Sequence, residues 1–325
     1  MGVYLQKVTG QYTDHGNSSS RPLGPVTEFI IFGFPSLQRY PMSLFFLFLL
    51  IYLFSVTGNG IIFTLVVLDS RLQTPMYFFV SNLSFLDLSY TSVTVPKMLA
   101  KFSMNLDTIS YAGCFIQMYV FLSLAAAECL LLCVMAYDRY LAICSPLHYS
   151  TVMTYRLCLL LSAAAWFGGF MTPVTLLILA LRLPFCGPNI ILHYYCDHPP
   201  LLQLACTDTS FNVAVGSSIG AFILLISFTF IVVSYVKIIL AILKIASHDG
   251  RKKTFSTCAS HFAVVNLFYL PLIFMYVRPK ASYASDVDSL VAMLYTVLTP
   301  MMNPIIYSLR NKDIKQSFRK KLQFK

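Results

Sequence analysis

The sequence predicts an all-α membrane protein, a seven-transmembrane helix bundle with a short amphipathic helix after the seventh span. Three observations predict it. Of 325 residues, 57% are hydrophobic and only 11% charged, with a mean hydropathy of +0.71, more apolar surface than a soluble core of this length would bury. Apolar stretches recur over residues 43–68, 76–100, 115–138, 157–181, 213–245, 255–277 and 288–308, each near or above the roughly 20 residues a helix needs to cross about 30 Å of hydrocarbon. Most of the 23 Lys and Arg residues, from Arg71, Arg139 and Arg156 through Lys237 and Arg251 to the group between Lys312 and Lys325, fall on one side of those spans. Basic residues near span ends are retained in the cytoplasm, so the N-terminus is expected outside and the C-terminus inside, in a multi-pass plasma-membrane protein.

Taken in order, residues 1–41 form an outer segment, 42–310 the spans and 311–325 a cytoplasmic tail. Residues 1–35 lack the apolar core of a cleavable signal, so the first span is expected to act as one. The Met1-Gly2 start lacks the Ser or Thr that myristoylation needs, having Gln6 there. Asn17-Ser18-Ser19 is a glycosylation acceptor in the outer segment, whereas Asn82-Leu83-Ser84 lies inside a span. Loops are short except at 182–212, which holds Cys186, Cys196 and Cys206 on the same outer side as Cys114. Four cysteines in an oxidising compartment allow three pairings, while Cys129, Cys133, Cys144, Cys158 and Cys258 are expected to stay reduced. His193, Cys196 and His198 have the spacing of metal ligands, but a disulfide-bonded Cys196 offers no thiolate, so no metal is expected. Gly216 and Gly220 form a GxxxG whose small residues let a neighbour approach. In the tail, Ile314, Phe318 and Leu322 recur every four residues among Lys315, Arg319, Lys320 and Lys321, the pattern of a helix lying on the inner leaflet. The net charge of +10 thus points to acidic lipids and a protein partner rather than nucleic acid.

Ionisable groups in mid-bilayer cost at least about 2.5–3.5 kcal/mol on insertion scales, so Asp87 and Glu128 must face the bundle interior. Glu128 precedes Arg139 by three helical turns, about 16 Å along one face of the third span. Asn59, Asp87, Glu128 and Asn303 are expected to share a polar network. Asp138 and Arg139 stand where that span meets water, and a guanidinium held by a carboxylate in one state can swing to a partner's carbonyls in another. Pro271 and Pro304 interrupt the sixth and seventh spans and should bend them. No HExxH or paired catalytic acids occur, which speaks against the common enzyme classes. A transporter or channel built on Asp87 and Glu128 is the rival reading, weakened by the absence of an inverted repeat.

Six motifs then fall in one order: Gly58-Asn59, PMYFFVSNLSFLDLSY at 75–90, MAYDRYLAIC at 135–144, Ser234-Tyr235, KTFSTCASHF at 253–262 and PMMNPIIYSLRN at 300–311. Together they resemble the olfactory receptors, a branch of the rhodopsin-like G-protein-coupled receptors, from Phe29 to Lys315. The resemblance implies an odorant receptor that activates a stimulatory, cAMP-raising heterotrimeric G protein. It implies disulfides Cys114–Cys196 and Cys186–Cys206, a switch of Asp138, Arg139, Tyr140, Tyr235 and Tyr307 in which the last two face each other when active, and no cofactor beyond a sodium ion or proton near Asp87 and Glu128. Two features depart from the family: Leu270-Pro271 follows Phe268-Tyr269 where many members carry glycine, and the outer segment is long.

With Cys114 at the outer end of the third span, Phe121, Leu122, Ala125 and Ala126 line a cavity two to three turns below the surface. Ile219, Ile223, Tyr269, Leu272 and Tyr276 supply the facing wall, with tyrosine hydroxyls and Thr296 as polar handles. None is acidic, so a small, largely apolar, uncharged volatile is the expected ligand.

Overall fold

The computed structural model describes residues 26–34, 40–186, 189–245, 247–277, 285–310 and 312–323. Strand β1 (Glu28–Ile31) precedes helices α1 (Pro41–Leu68) and α2 (Pro75–Met104), then strand β2 (Thr108–Ser110), α3 (Tyr111–Cys144), α4 (Tyr155–Leu181), strand β3 (Ile190–Ile191), α5 (Ser210–Leu243), α6 (His248–Val277), α7 (residues 285–310) and α8 (Lys312–Gln323). Short helices Pro146–Val152 and His198–Leu202 lie in the loops after α3 and α4. Among the described residues, six helices are long and apolar enough to cross a membrane. The seventh, α2, carries Asp87, Lys97, Lys101 and many Ser and Thr, and packs between α1 and α3 as a full member of the bundle. Asn17 and the side chains of Tyr276 and Leu322 lie outside the described residues.

Local chemistry sets the helix ends. Pro41 and Pro75 occupy first-turn positions, where a missing N–H breaks no helical bond. Ser110 Oγ accepts from the Gly113 N–H at 3.1 Å to cap α3, and Thr154 Oγ1 from Leu157 at 3.3 Å to cap α4. Asn105, with φ 55°, ends α2 in the left-handed conformation that short polar side chains tolerate. The prolines act unequally: Pro173 splits α4 into Tyr155–Met171 and Val174–Leu181, whereas Pro96, Pro271 and Pro304 sit inside continuous helices. In α7 one turn widens into a π-helix at Leu294–Leu298, and the Thr299 hydroxyl reaches back to the Leu294 carbonyl at 3.0 Å.

Lipid offers helices no hydrophobic reason to associate, so the bundle depends on close packing. At the crossing of α3 and α4, a Cβ added to Gly169 would lie 2.6 Å from the Ala127 Cβ and 2.7 Å from its backbone nitrogen. Only glycine lets these two backbones meet. Gly216 likewise sits against a neighbour, with its missing Cβ position 2.9 Å from the His198 ring, so the first glycine of the GxxxG faces the outer loop.

The end of the bundle that holds Cys114, named the outer end after the expected orientation, carries a three-stranded sheet that the helix-only expectation did not contain. Its order is β2-β1-β3, with β1 antiparallel to β2 (Phe29 opposite Ile109) and parallel to β3 (Ile30 opposite Ile190). Alternation in Glu-Phe-Ile-Ile turns Phe29 and Ile31 inward to pack with Cys114, Phe115, Met118 and Leu201. Lys101 Nζ from α2 donates to the carbonyls of Ile31 and Phe32 and ties the strand to the bundle.

Candidate functional site

At the outer end, disulfides join Cys114 to Cys196 (Cα–Cα 5.4 Å) and Cys186 to Cys206 (5.8 Å), while Cys129, Cys133, Cys144, Cys158 and Cys258 are free. Gln117 of α3 donates to the Val93 carbonyl at 2.8 Å and accepts the Cys196 N–H at 2.9 Å, pinning the loop between helices. That anchoring drives Tyr194 and Tyr195, both 0% exposed, down into the bundle. Tyr195 lies 4.4 Å from the Phe121 ring, which is 5.0 Å from Tyr90. The Tyr195 hydroxyl meets that of Tyr295 at 3.4 Å, and the Tyr194 hydroxyl meets Thr296 Oγ1 at 2.5 Å. Sequence reading gave the two loop tyrosines no role, because nothing in their local pattern tells how deep a loop will dip.

Of the residues expected to line the cavity, Phe121, Ala126, Tyr269, Leu272 and Thr296 are buried and Leu122, Ala125, Ile219 and Ile223 partly so. Two expected polar handles are already engaged: Thr296 by Tyr194, and Tyr269 by donation to Ser227 Oγ at 2.8 Å and the Cys129 carbonyl at 3.3 Å. Ile223 borders a different space, a groove of about 470 Å³ between α3, α4 and α5 that also involves Leu130, Cys133 and the exposed Phe222. The loop's ionisable groups answer to burial. It lowers His193 to about 3 and His198 to about 4, and raises Asp197 to about 6 against the hydrogen bonds it accepts from His198 and Tyr195. Cys196 is spent on its disulfide, and among the described residues no cluster of three or more His, Cys, Asp or Glu is arranged to hold a metal.

In mid-bundle the four polar residues are all buried, and of the four Asn303 and Asp87 bond one another. Asn303 Nδ2 donates to Asp87 Oδ2 at 2.9 Å, whereas Asn59 Nδ2 donates to the carbonyls of Pro300 at 2.9 Å and Ser55 at 3.1 Å. Both Glu128 carboxylate oxygens, Asp87 Oδ1, Asn59 Oδ1 and Asn303 Oδ1 have no hydrogen-bond partner.

At the opposite end of the bundle, named the inner end after the expected orientation, the Asp138–Arg139 pair is not closed. Asp138 Oδ1 accepts the Tyr149 hydroxyl at 2.7 Å from the short helix after α3, and among the described residues the ion pair formed is Asp69–Arg71. The geometry has a simple reason: adjacent helical residues point apart, so Tyr149 from the separate helix Pro146–Val152 reaches Asp138 where Arg139 does not. Tyr140 lies under Lys237 Nζ, 5.5 Å from its ring centre. Tyr235 meets His261 Nδ1 at 2.7 Å and donates to the Cys258 carbonyl at 3.3 Å, rather than meeting Tyr307, whose buried hydroxyl is unpartnered. His261 is the partner of Tyr235 that sequence reading passed over, although KTFSTCASHF contains it.

A family model described as olfactory receptor matches residues 48–325. Human olfactory receptor 6N1 is 54% identical over 310 residues, covering 95% of this chain and 98% of its own length. Human olfactory receptor 5I1 is 46% identical over 300 residues (92% and 96%), and mouse olfactory receptor 5G9 is 48% identical over 292 (90% and 93%). Likeness of this extent, on a bundle with a capped outer end and a charged inner end, shows that the chain belongs to the olfactory receptor family: an odorant-sensing G-protein-coupled receptor of the membrane, not an enzyme.

Proposed function

We propose that this receptor takes small, largely apolar, uncharged volatiles in the outer half of the bundle, beneath the loop tyrosines, and activates a stimulatory, cAMP-raising G protein at its inner end. The observation that carries the reading is the run of close, tilted ring contacts from Tyr195 to Phe121 to Tyr90, an aromatic wall beside which the Tyr195 and Tyr295 hydroxyls bond one another instead of a charged group. Such a wall suits a ligand with a carbon skeleton and at most one weak polar atom. Its arrival displaces or reorients Tyr195 and Tyr194 and so disturbs Thr296 and Tyr295 on the π turn of α7, the helix that carries Asn303 and Tyr307 toward the inner end. With the N-terminus outside, as the basic residues favour, Arg139, Tyr140, Tyr235 and Tyr307 meet the G protein and the basic face of α8 meets acidic lipid.

The unpartnered oxygens of Asp87, Glu128, Asn59 and Asn303 form an all-oxygen set of the kind hard cations prefer, and a sodium ion or a proton there would bias the resting state. A panel of volatiles read with a cAMP reporter tests the whole reading. Oxygenated or hydrocarbon agonists are expected, with potency falling in Phe121→Ala and with Tyr276→Phe weakening oxygenated agonists more than hydrocarbons. A charged amine as best agonist, or a response that survives removal of the stimulatory G protein, would overturn it.

A further inference from the structure

The switch and the ligand wall leave one contact unused. Ser317 of α8 is 1% exposed, and its hydroxyl donates to Asp69 Oδ2 at 2.5 Å, across to the turn (Ser70–Leu72) that joins α1 to α2. The same carboxylate holds Arg71 with two arms, Nε to Oδ1 at 3.0 Å and a terminal nitrogen to Oδ2 at 2.7 Å. One turn earlier on α8, Asp313 Oδ2 accepts the Tyr77 hydroxyl at 2.8 Å and Ile314 is buried. The helix is thus docked by Asp313, Ile314 and Ser317. Around the serine it is basic and exposed, with Lys315 two residues before and Arg319, Lys320 and Lys321 after.

We propose that Ser317 is a phosphorylation site for a kinase that reads basic flanks, and that the phosphate holds α8 off the first cytoplasmic turn. Ser317 Oγ forms a bond to the γ-phosphorus of ATP as the bond to the bridging oxygen breaks. ADP leaves with that electron pair, and the hydroxyl proton passes to the kinase's base. The docked hydroxyl is shielded, so modification follows opening, which suits a terminal helix held by a few side-chain bonds. Once made, phosphoserine brings roughly 1.5 to 2 negative charges and three oxygens to a space that now holds one hydrogen. It meets Asp69, whose carboxyl the hydrogen bonds from Arg71 and Ser317 hold well below the usual range and therefore ionised, and Asp313 one turn away. The cation on the loop side, Arg71, is already taken by Asp69.

The inference rests on a cytoplasmic α8, and the test is arranged to be independent of that. Full-length receptor in detergent, where both faces are open, is treated with magnesium, ATP and a purified basophilic serine/threonine kinase. Phosphate is located by peptide mass spectrometry and docking is read from amide exchange over residues 312–323. Phosphorylation at Ser317 should be about tenfold faster in Asp69→Asn, the opening effect of losing one charge-assisted hydrogen bond. It should be absent in Ser317→Ala, and the phosphorylated helix should exchange faster than the unmodified one. If Asp69→Asn does not fold, Tyr77→Phe loosens the same helix through Asp313 and makes the same comparison. No phosphate on Ser317 in the loosened variant, equal rates in wild type and variant, or unchanged exchange after phosphorylation would each overturn the proposal. Orientation is tested separately by sugar on Asn17.

Discussion

The two ends of the bundle are held together differently. At the outer end, two disulfides, a three-stranded sheet and fully buried tyrosines fix the loop, so that most ties are covalent, backbone to backbone or aromatic stacks. At the inner end the corresponding ties are single side-chain hydrogen bonds: Tyr149 to Asp138, Tyr235 with His261, Tyr77 to Asp313 and Ser317 to Asp69. A disulfide contributes roughly 3–5 kcal/mol and one such hydrogen bond about 1 kcal/mol. The difference teaches where a change can start. On the proposed reading, a ligand would meet a fixed shape at the first end and a partner helix would meet contacts weak enough to exchange at the second.

The largest effects should separate the ends most cleanly. Arg139→Ala is expected to abolish G-protein signalling while leaving surface expression largely intact, since the cap does not depend on it; a wild-type cAMP response in a well-expressed variant would sink the assignment. Cys114→Ser should do the reverse and remove folded receptor from the surface. Its disulfide spans 82 residues, for which the chain-entropy model gives about 4.5 kcal/mol, against about 3 kcal/mol for the 20-residue span of Cys186–Cys206. Thermal unfolding of both variants should rank them in that order, and equal losses would break the argument.

A middle-sized effect is expected at the crossing of α3 and α4. Gly169→Leu forces a side chain into the Ala127 backbone and should cost about 1–3 kcal/mol, seen as a lowered melting temperature. Gly60→Leu, where no atom lies within 4 Å of the added Cβ, is the control and should melt with wild type.

The smallest effect is a pH dependence confined to the cap. Burial keeps His193 and His198 below their ordinary value of 6.5, so the unfolded state binds more protons there, and the stability they contribute is present above pH 6.5 and lost as pH falls toward about 4. Asp197, raised to about 6, acts in the opposite sense: its contribution is present at low pH and lost as pH rises through about 6. Two groups oppose one, so the melting temperature of purified receptor should fall modestly from pH 7 to pH 5. His198→Gln should flatten that slope, and a slope unchanged by it would place the sensitivity elsewhere.

Much of this was legible in the chain. Span number followed from apolar runs long enough to cross hydrocarbon, and the family from six motifs in order, because both are local properties that survive without knowing what touches what. Helix ends were legible unevenly: the starts at Pro75, Tyr111 and Tyr155 fall close to the expected spans, whereas the third helix runs on to Cys144 rather than 138 and the sixth begins at His248 rather than 255. The break at Pro173 beside the continuity at Pro271 and Pro304 was not legible, as the same residue type yields or bends according to the helices packed around it.

What the sequence by itself determined is the membrane, the seven spans and the chemical types along them: acids in mid-span, an Asp-Arg pair at one end of the third span, apolar residues two to three turns in from the other. Which of those types are partners was decided only by tertiary structure. Asp138 goes to Tyr149 rather than Arg139, Tyr235 to His261 rather than Tyr307, and Tyr195 descends from a loop onto Phe121. The physical reason is range: hydrophobic periodicity and capping act over a turn or two of one chain, while a hydrogen bond or ring contact is set by where separate helices and a disulfide-tethered loop bring atoms within about 3 to 5 Å.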